Sequence, residues 1–192
     1  MIYKKELKQK YDVDVFIAGG GPSGFAAATA CARQGKSVFL AESRGSFGGA
    51  GTVGMVPAFM CFGDGVNFLA GGIGREIRDA LYSDRSNNAY GYAIHAETLK
   101  RLYDNMAVEA GFHFSFFTTL SDVIVSNGRI EYAVISSKSG MYLIKAKVFI
   151  DATGDGDLCV WAGAQYELGD QNQNTMPATL CSLWANIDLS LI

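Results

Sequence analysis

The chain has 192 residues and only four cysteines, Cys31, Cys61, Cys159 and Cys181, and no two of them form a C-x-x-C pair or a tight cluster. A local iron–sulfur or zinc framework is therefore unsupported, and no metal site is expected. Free thiols in a reducing compartment follow. Charge is also scarce. Lys, Arg, Asp and Glu make up 18% of the residues and the net charge is −3, so nothing argues for nucleic acid or an anionic membrane as partner. No apolar run reaches the length of a membrane span. The charged start, Met1 to Asp12, holds Lys4, Lys5, Glu6, Lys8 and Lys10 and lacks the apolar stretch of a secretory signal. A cytoplasmic setting is expected.

What the sequence has instead is apolar residues, at 49%, and 23 glycines. A chain this long can bury roughly 70% of its unfolded surface, enough for a real core in one domain or slightly more. The glycines are not scattered. Val13 to Ala18 is a β-branched, strand-like run that leads straight into Gly19-x-Gly21-x-x-Gly24, and the Ala-rich helix 23–34 follows. Each glycine has its own task in a dinucleotide-binding turn. Gly19 permits the tight turn, Gly21 lets backbone approach a pyrophosphate, and Gly24 lets the helix lie close to the strand. Free N–H groups and the helix dipole then face the phosphates. Strand 37–41 comes next and ends at Glu42, about 20 residues after the first glycine, where a carboxylate can accept hydrogen bonds from ribose hydroxyls. The bland alternative is an ordinary βαβ unit with a surface glutamate.

Gly45, Gly48, Gly49, Gly51 and Gly54 crowd the following loop, which suits backbone wrapped around a ligand better than a helix or strand. Arg44 can reach a phosphate, stack on adenine or simply stay solvated. Met55 to Phe62 is apolar and broken by Pro57, and is expected to be buried but irregular, with Cys61 as core filling. A helix is expected over 75–81 and a polar loop over 83–88. The spacing of Leu99, Leu102, Tyr103, Met106 and Ala110 predicts an amphipathic helix from Ala96 to Ala110, closed by Gly111 and with His95 in a capping or surface role. The period then changes to that of strands, over 112–117, 120–125, 129–135 and 141–146, with Asn127-Gly128 and Ser139-Gly140 as hairpin turns. His113 falls in one of these strands. A second apolar strand, 148–151, enters the Gly-rich turn Asp151-Ala152-Thr153-Gly154-Asp155-Gly156-Asp157 and a short helix, 158–162. Asp155 and Asp157 either accept sugar hydroxyls or cap that helix.

Taken in this order, the two Gly-rich turns, Glu42, Gly48-Gly49 and the meander resemble the FAD-dependent oxidoreductases with a glutathione-reductase-like flavin-binding fold, in particular the fumarate-reductase-related group. Glu97-Thr98-Leu99-Lys100 and Thr175-Met176-Pro177-Ala178-Thr179 resemble that group too. The resemblance implies a doubly wound, Rossmann-like parallel sheet with an inserted three-stranded antiparallel meander. It implies FAD as cofactor, bound by Gly19, Gly21, Pro22, Ser23 and Gly24 at the pyrophosphate, by Glu42 and Arg44 on the adenosine side, by Gly48 and Gly49 on the route to the flavin, and by Thr153, Gly154 and Asp157 in the second segment. It also implies a division into a charged segment 1–12, an FAD-binding domain 13–170 and, in 171–192, the start of a substrate domain that is otherwise missing. The short chain is then a truncated or split product, or a partner chain supplies the rest, with self-association as a further expectation. Flavin-mediated hydride or electron transfer is the implied activity, on an unidentified small molecule, with no catalytic acid, base or nucleophile to name. A non-catalytic dinucleotide-binding module and a thiazole-synthase-like protein are the alternatives.

Overall fold

The computed structural model describes residues 1–2, 4–82 and 93–188. The polar loop expected over 83–88 lies outside the described residues. Six strands form one mixed sheet. β1 (Lys8–Ala18) runs into α1 (Pro22–Arg33), and β2 (Val38–Ala41) follows. Next come α2 (Ile73–Leu81), α3 (Ala96–Ala110) and β3 (His113–Ser115). β4 (Thr119–Ser126), β5 (Arg129–Ser137) and β6 (Gly140–Asp151) lead to α4 (Asp157–Trp161). The spatial order is β3-β2-β1-β6-β5-β4. β3, β2, β1 and β6 are parallel, while β4, β5 and β6 form the antiparallel meander.

This is the α/β architecture expected, with one simplification. The third meander strand and the strand entering the second Gly-rich turn are a single element, β6. Its polar middle does not interrupt it, because Lys145 lies opposite Asp12 in the parallel register and Lys147 donates to Asp14 at 2.7 Å. For the same reason β1 begins at Lys8, five residues before its apolar run.

Both faces of the sheet are covered. On one side Val15, Ile17, Val38 and Leu40 meet Phe25 of α1 and Leu99, Tyr103 and Met106 of α3. On the other, Phe16, Ala18, Phe39 and Ala41 pack with Leu120, Val123, Ala133, Ile135, Ile144 and Leu158. Local signals hold at the helix ends. Gly35 (φ 75°) stops α1, and His95 caps α3 by accepting from the Thr98 amide at 3.3 Å. Gly111 closes α3 in the left-handed conformation. Asn127-Gly128, both at positive φ, make the β4–β5 turn.

The Met55 to Phe62 stretch is irregular as expected, but it is not uniformly buried. Phe62 is buried and Phe59 partly so, whereas Met55, Met60 and Cys61 are exposed. Apolar composition identified the segment, and composition alone does not choose which of its side chains turn inward. After α4, residues 163–188 contain no helix or strand and are almost wholly exposed.

Candidate functional site

Parallel pairing of β1 with β2 and β6 brings Ala18, Ala41 and Asp151 to one edge, at the strands' carboxyl ends. The two Gly-rich turns therefore lie side by side. Their backbones touch. A Cβ at Gly19 would fall inside the van der Waals shell of the Ala152 carbonyl, and one at Gly24 inside that of the Gly19 carbonyl. Gly19 also sits at φ 98°, a conformation L side chains rarely adopt. Gly21 differs. Nothing lies within 4 Å of where its Cβ would be, so its backbone faces open space.

That space is a cavity of about 490 Å³, within the range of small-molecule sites. Gly19, Gly21, Pro22, Ser23, Glu42, Arg44, Gly49, Thr153, Gly154 and Asp157 line it. Ten of the expected site residues thus come together. Gly24 and Gly48 do not reach the cavity. Gly24 forms the contact under α1, and Gly48 lines a neighbouring hollow beside Tyr103. Asp155, named in the sequence analysis, lines it too, as do Ala41 and Ala152 at the strand ends; Ser43, Ala50, Thr118, Thr119 and Leu120 complete the wall and were not foreseen. Thr118 arrives because its amide donates to the Glu42 carbonyl at 2.9 Å. No local motif announces a contact so distant in sequence.

Glu42 is not a surface glutamate. It is 6% exposed, and its carboxylate accepts from the Gly20 amide at 2.6 Å and from the Arg44 amide at 2.6 Å. Two backbone donors fix its orientation, the Ser43 hydroxyl also donates to Oε1 at 3.4 Å, and Oε2 keeps lone-pair capacity for a hydroxyl. The loop after it is held too. The Gly48 amide donates to the Gly20 carbonyl at 2.9 Å, and Thr52 Oγ1 donates to the Phe47 carbonyl at 2.7 Å.

In the second turn, side chains do the holding. Asp151 accepts from the Thr153 amide and hydroxyl and from the Cys159 amide. Burial works against its charge, yet the hydrogen bonds from Cys159 and Thr153 keep its carboxyl below the usual range. Thr153 Oγ1 in turn accepts from the Gly156 and Asp157 amides at 3.0 and 3.1 Å. The Thr153 hydroxyl is therefore engaged in building the turn. Among the described residues, no group of three or more His, Cys, Asp or Glu side chains is placed to hold a metal ion.

The family model described as FAD dependent oxidoreductase matches residues 14–190. The chain belongs to this family. FAD, the cofactor expected from the sequence, is the cofactor the family depends on. Among relatives, the chain is 29% identical to the thiamine thiazole synthase of Thermococcus kodakarensis, over 80% of this chain and 62% of that protein. It is 31% identical to that of Methanothermobacter thermautotrophicus, over 79% and 60%. Among solved structures, THI4 of Thermovibrio ammonificans is 28% identical with a TM-score of 0.58, covering 78% of this chain and 61% of that one. A geranylgeranyl bacteriochlorophyll reductase-like protein of Thermoplasma acidophilum, 22% identical, shares the fold at a TM-score of 0.62, over 81% of this chain and 43% of that one. The chain spans about three-fifths of the length of these thiazole synthases.

The residues present fit the adenosine-pyrophosphate half of the family's cofactor. α1 opens with no side-chain cap, so its first-turn amides are not claimed by a side chain. Gly21 leaves room for phosphate, and the oriented Glu42 carboxylate stands at the cavity wall.

Proposed function

We propose that this chain forms the FAD-holding part of an oxidoreductase. The observation that carries the reading is the single cavity where both Gly-rich turns meet a buried, backbone-oriented glutamate. In this reading the α1 amides, with Gly19, Gly21, Pro22 and Ser23, hold the pyrophosphate. Gly24 supports that turn from beneath. Glu42 accepts the ribose hydroxyls, and its charge disfavours a 2′-phosphate. Arg44 lies at the adenosine end, Gly49 toward the ribityl chain, with Gly48 positioning it from behind, and Thr153, Gly154 and Asp157 bound the far wall. Bound FAD supplies hydride or single-electron transfer, and the chain contributes placement and exclusion of water. No side chain is assigned as acid, base or nucleophile, and the substrate is an unidentified small molecule. A cytoplasmic setting belongs to the same reading, as does self-association through the exposed Met176, Leu180, Leu183 and Trp184. Among the described residues, no helix is long and apolar enough to cross a membrane.

The test is a calorimetric titration with FAD and with ADP. Charge-assisted hydrogen bonds contribute about 1.5–3 kcal/mol, so Glu42→Ala weakens both ligands roughly 10- to 100-fold. Unchanged affinity removes Glu42 from the site, and no binding of either ligand by the unaltered chain overturns the reading.

A second reading, a thiazole-synthase-like protein, draws on the relatives at 29% and 31% identity. The nucleotide released when the purified protein is denatured separates the two. FAD supports the first, and a nucleotide without flavin supports the second.

A further inference from the structure

Beside the dinucleotide cavity lies a second hollow, of about 180 Å³. Pro22 and Ala50 line both, so the two spaces adjoin at the pyrophosphate end. The walls of the second are apolar, among them Val56, Phe59, Leu99 and Tyr103. Burial pushes the Tyr103 phenol up to about 12, so this wall carries no charge near neutral pH. An engineered apolar cavity of about 150 Å³ takes up benzene, and this hollow, open to solvent beside Met60, has room for a similar group. The volume here matches one small ring or a short branched alkyl group. A three-ring isoalloxazine with a polar edge matches neither the size nor the apolar lining.

We propose that this hollow receives the apolar end of the substrate, a group of about benzene size, and so selects a substrate with an uncharged hydrocarbon terminus. The proposal rests on the FAD reading, because the walls shared at Pro22 and Ala50 are what put the group near the cofactor. Toluene is the probe, followed by ligand-observed NMR on the full chain, with ADP and FAD titrated in parallel. Two variants obstruct the hollow. Ala58→Phe fills it, and Met60→Trp adds bulk at a side chain 79% exposed, where the fold has no packing to lose.

The expected result is that toluene binds the unaltered chain, still binds when FAD is saturating, and is lost in both variants while ADP affinity stays the same. Absence of toluene binding by a chain that binds ADP overturns this proposal and leaves the FAD reading standing. Displacement of toluene by FAD but not by ADP, or variants that lose FAD and keep ADP, assigns the hollow to the flavin ring and overturns it as well. Retention of toluene by both variants places the probe elsewhere and has the same consequence.

Discussion

The two strand-to-helix turns that meet at the cavity are built by opposite means. The first, 19–24, depends mainly on side chains being absent from its own residues, with one amide, that of Gly20, held by the Glu42 carboxylate. Gly19 and Gly24 let backbone lie on backbone, and no side chain caps α1. The second, 152–157, depends on side chains being present, with Asp151 and Thr153 supplying the partners for the amides of residues 153, 156, 157 and 159. A turn that satisfies its own amides is rigid but has fewer donors to offer. A turn built from glycine keeps its helix amides free. In the proposed FAD reading the first is therefore the anion-binding half of the site and the second is its wall.

The largest effect is expected at Gly24. Gly24→Ala drives a methyl into the Gly19 carbonyl, which is backbone and cannot swing aside. Overpacking of this kind costs about 3 kcal/mol, so the variant is expected to unfold at much lower urea and to lose ADP binding with it. Gly19→Ala adds an unfavourable φ and is expected to behave alike.

Thr153→Val tests the other turn. It removes the acceptor of two amides and the donor to Asp151. Because the turn is only partly buried, water replaces some of what is lost, and a cost of about 1–2 kcal/mol is expected by urea unfolding. Folding should survive.

Acid should weaken the second turn. A carboxyl with a depressed folded-state value stabilises at pH above its ordinary 3.8 and loses that contribution as pH falls through the depressed value. Thermal unfolding followed from neutral pH to below 3.8 is expected to show this loss, and Asp151→Asn is expected to flatten that part of the profile.

The smallest effect on folding should come from Gly21→Ala. Gly21 has an extended backbone that any residue adopts, with open space around the new methyl. Stability is expected to stay within about 0.5 kcal/mol, while ADP affinity falls because the methyl occupies the phosphate's approach. A variant that loses ADP only by unfolding, next to one that loses it while staying folded, would sharpen the division of labour among the three glycines.

The glycine turns, α3 with both its caps, and the Asn127-Gly128 hairpin were legible because local chemistry dictates them. Positive φ, helix caps and the 3.6-residue period are all written within a few neighbouring residues. The polar beginning of β1 was not legible. Lys8 to Asp12 reads as a charged tail until β6 lies beside it and supplies Lys145 and Lys147 as partners for Asp12 and Asp14. The place of Glu42 at the end of the second strand could be read from spacing, but its two backbone donors could not. Thr118 to Leu120 entered the wall through a tertiary hydrogen bond, and no periodicity marks such a contact. The exposure of Met60 and Cys61 was missed for a related reason: hydrophobicity identifies a segment that needs cover, and only the packing of the chain decides which side chains receive it.

β6 has one more consequence. It pairs with β1 along nearly its whole length, from Tyr142 to Asp151, and with β5 from Gly140 to Lys145, so its first half belongs to both ladders at once. The meander is thus spliced into the nucleotide-binding sheet by a continuous backbone rather than docked onto it. Neither part can open along β6 without fraying the other, so the two form one cooperative unit. In native-state hydrogen exchange the amides of β1, β5 and β6 would then share a single opening event. The floor of the cofactor cavity would be as slow to breathe as the deepest strand of the molecule.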